Sequence, residues 1–402
     1  MTAIPHHILM LHNRYQYPGG EDASTQAEIE VLRGAGHQVT YLEENNHRLQ
    51  NLTPLDKLQL FLNSPWNPQQ YHNLRSQLQD LKPDILHVQN FFPLFSPSVH
   101  SAAKSLGIPT IQHLRNFRLG CLNSYLYREQ QVCEACVGHN PWRGVVYRCY
   151  RQSLPESLAL WHLITYNRGR KTWSRDVDGF IAPSHFAAQK LLEIGIPPER
   201  LYIKPNFTSD PLINQSIPPL PARPTFLYLG RLSPEKGVIT LLQAWKHLHQ
   251  REWQLNLLGD GPQRQTLEAF VKEHQLLNVT FYGQQPLAQV IEAIKQATAV
   301  VVPSQWYETF GRVVIDAFAC GRGALVSNLG ALSELVQEGK TGLLIAPQQI
   351  EAWSSGLNWC GNNPWQLTQI GQNARQTYLE KYTPEVNYQQ IIRIYQGIIS
   401  SP

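Results

Sequence analysis

Short apolar runs recur along the chain, each closed by a polar or glycine-containing turn and followed by a stretch with helical spacing. This is the pattern of βα units around parallel sheets. In the first half, His7 to His12, Gln38 to Leu42, Asp84 to Gln89, Thr110 to Leu114, Gly179 to Pro183 and Leu201 to Lys204 predict strands. Helices such as Ala23 to Ala35 and Phe186 to Ile194 come between them, so these segments form one doubly wound layer. The periodicity stops between Asn206 and Pro224, where Pro211, Pro218, Pro219, Pro221 and Pro224 crowd together. A second series then begins at Phe226 to Leu229, Gln254 to Leu258 and Val279 to Tyr282. It continues through Ala299 to Pro303, Ala324 to Ser327 and Gly342 to Ile345, and ends in helical stretches at Glu351 to Lys381 and Glu385 to Ile399.

The expected fold class is therefore α/β, with two Rossmann-like doubly wound domains facing across a cleft. The first covers residues 1–206, includes a cysteine-containing loop at about 119–150, and is joined by a C-terminal helix at 385–402. Residues 207–224 are the linker and 225–384 the second domain. In open sheets of this kind ligands bind beyond the carboxyl ends of the strands, which directs attention to the strand-end loops.

Composition narrows the options. Charged residues make up 16% of the 402, below the roughly 25% of globular proteins, while 42% are hydrophobic. A charge-driven disordered chain is excluded. The net charge of +4 tolerates an anionic ligand or membrane surface, but no long Lys/Arg run points to nucleic acid. Met1 to His7 lacks a basic segment leading into a long apolar one, and no stretch reaches the roughly 18 apolar residues of a membrane span. The expected location is the cytoplasm, with peripheral attachment to the inner face of the membrane left open.

The richest stretch runs from Pro303 to Gly321. A strand ends at Pro303 and the spacing predicts a helix from near Glu308, which places Glu308 and Asp316 near one face, able to bracket an extended ligand. The amides of Thr309, Phe310 and Gly311 would then point from the helix N-terminus at an anion. The plainer alternative is a capping carboxylate and a solvated one. After the first strand of the second domain, Gly230-Arg231 to Lys236-Gly237 offers a guanidinium fork and a point charge, a diphosphate clamp or a surface loop. Gly259-Asp260-Gly261-Pro262 is a third strand-end turn. Gly19-Gly20-Glu21-Asp22, early in the first domain, lets backbone approach a ligand but does not match the dinucleotide fingerprint.

Taken in order, Gly19-Gly20, Gly230-Arg231 to Lys236-Gly237, Gly259 to Pro262, and Ser304-x-Trp306-x-Glu308-x-Phe310-Gly311 to Ala319-Cys320-Gly321 closely resemble glycosyltransferase family 4, retaining enzymes of the GT-B fold. The resemblance spans nearly the whole chain and is strongest from Phe226 to Pro347. It implies a retaining hexosyltransferase that takes a UDP-, GDP- or ADP-type sugar donor and a saccharide or lipid-linked acceptor, in polysaccharide or envelope assembly. Residue by residue, it implies that Arg231 and Lys236 neutralise the donor diphosphate and Glu308 contacts the transferred sugar. Asp316 would hold the ribose, Gly20 would lie near the pyrophosphate, Gly230 would belong to the donor site, and the backbone from Tyr282 through Gly283 to Gln284 would read the base. No cofactor is required for catalysis on this reading, because the two cations do the work of a divalent ion.

Two departures stand out. Asp316 replaces the usual second Glu, shortening the side chain by one methylene. In Gln112-His113-Leu114-Arg115-Asn116, Arg115 stands where many relatives place a His, with His113 expected on the opposite strand face. Arg115 either meets an anionic group of donor or acceptor or forms a positioning ion pair, and Asn90 is an acceptor-side candidate. Cys121, Cys133, Cys136 and Cys149 carry one C-x2-C pair flanked by single cysteines, compatible with a structural zinc or with four reduced thiols. Between Leu158 and Arg175, Trp161 and Trp173 mix with Arg168, Arg170, Lys171 and Arg175, as in a segment lying on an anionic membrane or in an amphipathic helix packed on its own domain. Two further readings compete with hexosyl transfer. One is a non-catalytic sugar-nucleotide-binding partner of another transferase, and the other is a GT-B sugar-nucleotide epimerase or phosphorylase.

Overall fold

The computed structural model describes residues 4–15, 19–51, 53–248, 250 and 252–400. The chain divides into two compact units. The first holds the described residues of Met1–Leu126, Cys133–Pro205 and Asn387–Pro402, and the second those of Tyr127–Val132 and Asn206–Val386.

In the first unit β1 (His7–Arg14), α1 (Gly20–Gly34), β2 (Gln38–Asn45), α2 (Pro54–Asn63), α3 (Pro68–Leu81) and β3 (Ile85–Asn90) come first. There follow α4 (Ser98–Lys104), β4 (Thr110–His113), a hairpin of β5 (Tyr127–Arg128) and β6 (Gln131–Val132), α5 (Trp142–Val146), α6 (Leu154–Gly169) and α7 (Thr172–Arg175). The hairpin lies inside the cysteine loop but groups with the second unit. Then β7 (Gly179–Ala182), α8 (His185–Ile194) and β8 (Leu201–Ile203) complete a six-stranded parallel sheet of order β2-β1-β3-β4-β7-β8.

The second unit runs β9 (Thr225–Leu229), α9 (Val238–Lys246), β10 (Gln254–Leu258), α10 (Arg264–Glu273), β11 (Val279–Gly283), α11 (Leu287–Lys295) and β12 (Ala299–Val302). It continues with α12 (Arg312–Ala319), β13 (Ala324–Ser327), α13 (Leu332–Leu335), β14 (Gly342–Ile345), α14 (Ile350–Asn362), α15 (Pro364–Lys381) and the start of α16 (Pro384–Ile399). Its sheet order, β11-β10-β9-β12-β13-β14, is that of a Rossmann fold, with the direction of winding reversing between β9 and β12. Both sheets are parallel and covered on both faces, which is why their strands read as continuous apolar runs. Alternation along β9 sends Phe226 and Tyr228 into one apolar cluster and Leu227 and Leu229 into the other.

Two features differ from the sequence reading. The expected helix from Glu351 to Lys381 is two helices, divided at Asn363, because Pro364 lacks the amide that would carry the ladder onward. The proline-rich span after Asn206 is held against the second unit: Arg375 makes a two-pronged pair with Asp210 at 2.7 Å, and Arg322 donates to the carbonyls of Pro218 and Pro219. From Asn387 onward α16 groups with the first unit, where Ile391, Ile394, Tyr395 and Ile398 enter its core. Ser401 and Pro402, included in the expected C-terminal helix, lie outside the described residues. No helix among the described residues is long and apolar enough to cross a membrane.

Candidate active site

The reversal between β9 and β12 leaves a crevice at the carboxyl ends of two adjacent strands, and the loops that leave them carry the second unit's candidate chemistry. The loop after β9 runs from Gly230 through Ser233 into a 3-10 turn, Pro234–Lys236, and reaches α9 at Gly237. Gly237 has φ +68°, and a Cβ there would lie 2.0 Å from the Pro303 carbonyl oxygen. Only glycine lets this loop press against the one that follows β12. At Gly259, φ +136°, a Cβ would meet the Gly230 carbonyl at 1.9 Å, so the third strand-end turn is packed on the first.

This contact delivers Lys236 to Glu308. Lys236 Nζ donates to Glu308 Oε1 at 2.6 Å, and the same oxygen accepts from Ser304 Oγ at 2.8 Å and Trp306 Nε1 at 3.0 Å. Lys236 Nζ also stands 5.1 Å from the centre of the Trp306 ring, within reach of a cation–π attraction. Beside it, Arg231 donates to Glu235 Oε1 at 2.6 Å, and Ser233 Oγ gives that oxygen a second bond at 2.6 Å. Burial pushes the Glu235 carboxyl up, but the Ser233 bond and the Arg231 charge outweigh it and hold it below the usual range. Glu235 is mostly buried, whereas the Arg231 side chain remains half exposed and Lys236 a quarter exposed. The result is two partly solvated cations at a strand-end crevice, each steadied by a carboxylate.

The expected helix start at Glu308 is incorrect. Gly311, at φ +97°, caps α12, which begins at Arg312. Thr309, Phe310 and Gly311 therefore lie in the approach to the helix rather than in its first turn, and the Phe310 side chain is buried in the core. Glu308 precedes the helix and Asp316 lies within it, so the shared-face argument fails. Asp316 is buried next to Thr208, one of its carboxylate oxygens has no hydrogen-bond partner, and burial raises its pKa. Gly283 ends β11 at φ +70° and its carbonyl accepts from the Gly259 amide at 2.8 Å.

In the first unit Gly20 opens α1, with no heavy atom beyond its chain neighbours within 4 Å of where a Cβ would stand. Asp22 ties the preceding turn together, accepting from the Gly19 amide at 2.8 Å and the Tyr15 amide at 3.2 Å and pairing with His12 at 2.9 Å. Asn90 is buried and occupied, donating to the Asn13 carbonyl at 2.8 Å and accepting from the Phe92 amide. Arg115 donates to Gln89 Oε1 and approaches Glu28 at 3.5 Å, contacts of the kind an ion-pairing role would make. His113, the last residue of β4, reaches the same carboxylate rather than opposing Arg115, its Nδ1 lying 3.8 Å from Glu28.

Glu28 is the centre of a buried network missed in the sequence. Lys204 pairs with it at 3.0 Å and Gln89 donates to it at 3.0 Å, while His87 stacks on His113 and meets Tyr395 Oη at 2.6 Å. Burial opposes its charge, but Lys204, with His87 and Arg115, holds its pKa down at about 2. Glu28, His87 and His113 are the one set of three or more His, Cys, Asp or Glu among the described residues whose ligand atoms lie within 4.8 Å of one another. Lys204 and Arg115 already provide the positive charge that a metal would bring. The four cysteines are free thiols that are not gathered so closely, and burial pushes the Cys121 thiol up to about 12. Asp176-x-Asp178, the D-x-D triplet of the chain, is also committed: Asp176 to Ser101 and Arg175, Asp178 to Lys104 and the Thr110 amide.

The family model described as Glycosyltransferase Family 4 matches residues 18–210, and that described as Glycosyl transferases group 1 matches residues 212–377. The glycogen synthase of Mycobacterium tuberculosis is 32% identical over 153 residues, 37% of this chain and 37% of that protein. A lipopolysaccharide 1,2-N-acetylglucosaminetransferase of Salmonella typhimurium is 28% identical over 270 residues, 62% of this chain and 69% of that one. The chain spans between 37% and 48% of the length of the first curated relatives it matches. Among solved structures, Anabaena HepE in complex with UDP superposes with a TM-score of 0.69 at 17% identity, covering 97% of this chain and 99% of that one. The sucrose-phosphate synthase of Thermosynechococcus elongatus does so with a TM-score of 0.69 at 21% identity, covering 98% and 100%. At these identities the structural likeness concerns the fold.

Proposed function

The chain belongs to glycosyltransferase family 4 and has the GT-B fold, and from that premise we propose that it moves a hexose from a nucleotide diphosphate sugar to a saccharide or lipid-linked acceptor with retention of configuration. The observation that carries the reading is the Lys236–Glu308 pair, with Arg231 paired to Glu235 in the same loop as Lys236, at the switch point of the second sheet. In a front-face displacement the acceptor hydroxyl enters on the side from which the diphosphate leaves. The C–O bond to phosphate breaks as the new C–O bond forms, and the hydroxyl proton passes to the departing phosphate oxygen. Negative charge builds on that oxygen while the sugar acquires oxocarbenium character. Fixed cations beside the leaving group lower this barrier, and Arg231 and Lys236 are the cations the crevice offers.

Glu308 has the complementary part. Its Oε1 is occupied by three donors, which orients Oε2 for hydroxyls of the transferred sugar. Gly230 and Gly283, with the backbone of Thr309, Phe310 and Gly311, form the donor-side frame, and Asp316 is assigned to the ribose by resemblance. UDP is the first donor nucleotide to try, because the fold neighbour HepE was crystallised with UDP. Structural zinc in the cysteine loop is part of the same proposal, with metal-independent chemistry in the crevice.

The test is to screen UDP-, GDP- and ADP-sugars for binding by ligand-observed NMR in excess EDTA, then compare the native protein with Glu308→Gln and Arg231→Ala. Arg231→Ala should weaken binding of the selected donor, and Glu308→Gln should bind it but release nucleoside diphosphate far more slowly. Absence of binding to every donor would remove the transfer reading, and donor binding with no release of nucleoside diphosphate by the native protein would favour the sugar-nucleotide-binding partner instead.

A further inference from the structure

Three Lys or Arg side chains among the described residues are buried: Lys204, Arg322 and Arg118. Taking a cation out of water is costly unless an acceptor or a counter-charge replaces the water, and two of the three meet that demand. Lys204 pairs with Glu28 at 3.0 Å, and Arg322 donates to the carbonyls of Pro218 at 2.9 Å, Pro219 at 3.0 Å and Lys295. Arg118, only 8% exposed, does not. Its Nη2 donates to Ser124 Oγ at a long 3.4 Å, and its Nε and Nη1 have no hydrogen-bond partner among the described residues.

The surroundings of this guanidinium are aromatic. Its Cζ lies 4.5 Å from the centre of the Phe92 ring and 5.8 Å from that of Tyr150, and those two rings meet edge to face at 6.1 Å. Ring faces attract a cation without neutralising it. Other groups whose charge bears on Arg118 are the Tyr15 and Tyr125 phenols, uncharged at neutral pH, and Glu21, which already accepts from Tyr15 Oη at 2.9 Å. Arg151 stands over the same Tyr150 ring at 5.3 Å and is paired with Glu156 at 3.8 Å. The topology says where the group lies. Tyr15 follows β1, Phe92 follows β3 and Arg118 is in the loop that leaves β4, so all three stand beyond the carboxyl ends of neighbouring strands. In the order β2-β1-β3-β4 the winding reverses between β1 and β3, and it is beside such a reversal that an open parallel sheet takes its ligand.

We propose that Arg118 binds an anionic group of the acceptor, a phosphate or a carboxylate, beside the rings of Phe92 and Tyr150. An anionic oxygen is the acceptor that Nε and Nη1 lack, and charge-assisted bonds to it repay the cost of burying the guanidinium. The rings keep water away, which strengthens the attraction. This deepens the transfer reading and rests on it for calling the ligand an acceptor, since the donor-side candidates lie in the second unit and Arg118 in the first. It narrows the acceptor from any saccharide or lipid-linked sugar to one that carries a negative charge near the reacting hydroxyl.

The probes are glucose 6-phosphate, glucuronate and glucose, added to the full chain without nucleotide, with affinity read by ligand-observed NMR and location by hydrogen exchange. At least one of the two anions should bind ten-fold or more tightly than glucose, on the order expected for a charge-assisted bond, and slow exchange in segments 91–95 and 114–126. The tighter of the two names the group. Arg118→Met should weaken that binding on the order of 10- to 100-fold, and Arg118→Lys, which keeps the charge without the fork, should fall between it and the native chain. Because the methionine removes an uncompensated buried charge, its melting temperature should equal or exceed that of the native chain. No anion binding by the native chain, or glucose bound as tightly as both anions, would overturn the proposal. So would equal anion binding by the native chain and both variants, or binding kept in Arg118→Met and lost in Arg231→Ala, which would place the anion in the second unit. The two readings fail separately: an anion bound here with no nucleotide sugar bound removes only the transfer reading, and a nucleotide sugar bound with no anion here removes only this proposal.

Discussion

Acidification should loosen the first unit well before any carboxylate of the network is protonated. His87 and His100 are fully buried, and burial brings their pKa values down to about 4. His113 lies further below its ordinary value, through burial and the charges of Arg115 and Lys204. In the unfolded chain each imidazole takes its proton near pH 6.5, so below that pH the unfolded state binds more protons than the folded one and stability falls. Each of His87 and His100 then costs about 2 kcal/mol at pH 5 and about 3 kcal/mol at pH 4, against a total stability of about 5–15 kcal/mol. Glu28 behaves differently: with a pKa of about 2 its contribution is complete above the ordinary glutamate value of 4.5 and is lost only between there and about pH 2. All six buried histidines among the described residues, at 7, 12, 37, 87, 100 and 113, belong to the first unit, so the second is an internal control. Hydrogen exchange read by mass spectrometry, corrected for the intrinsic pH dependence, should show β3 and β4 losing at least about 4 kcal/mol of protection between pH 7.5 and 5, the share of His87 and His100, while β9 and β12 lose little. His87→Gln/His100→Gln should remove most of that slope. A double variant that keeps the parent's pH slope would refute the assignment to these two imidazoles.

Two other outcomes follow from the site and the cysteine loop. Trp306→Phe keeps the ring beside Lys236 but deletes the N–H that reaches Glu308, a bond to a charged group worth about 1.5–3 kcal/mol. Turnover of the selected donor should fall on the order of 10- to 100-fold with its dissociation constant nearly unchanged, and an equal loss in both would assign Trp306 to binding. For the loop, elemental analysis of protein purified without chelator should find one zinc per chain, reduced by Cys133→Ser. Metal-free protein in which Cys133, Cys136 and Cys149 react with Ellman's reagent while buried Cys121, Cys320 and Cys360 do not would establish reduced packing cysteines instead.

The architecture was legible because parallel strands covered on both faces leave unbroken apolar runs, such as Ala299–Val302, bounded by loops rich in turn residues. Motif order likewise located Arg231, Lys236 and Glu308 in a single crevice. What the pattern did not reveal depended on backbone conformation or on long-range pairing. The start of α12 is set by the left-handed Gly311, whereas helical spacing alone ran the helix back to Glu308. Ser304 and Trp306 stood in the motif, but their convergence on one carboxylate oxygen depends on the turn between them. The Glu28 network joins residues 28, 89, 115 and 204, and no local spacing signals such a set. Arg115 was open to two readings in sequence, and Glu28, 87 positions earlier, places it among ion-paired groups.

The pairing within the crevice also indicates how a donor would be accommodated. Each of its cations already has a carboxylate, Arg231 with Glu235 and Lys236 with Glu308, so a diphosphate must share or replace these partners rather than meet free charges. For Arg231 the exchange is mild, because Glu235 keeps the hydroxyl of Ser233 and the half-exposed guanidinium has further donors to turn outward. For Lys236 it matters more, because its partner is the carboxylate assigned to the sugar. When Lys236 swings to the phosphate, Glu308 is left with Ser304 and Trp306, two neutral donors that fix its orientation without neutralising its charge. Donor binding would thereby convert a neutralised carboxylate into an oriented anion beside the carbon that becomes positive. A lysine that held Glu308 throughout would oppose the same step. On the proposed transfer reading, the Ser304 and Trp306 bonds would keep Glu308 oriented through that exchange.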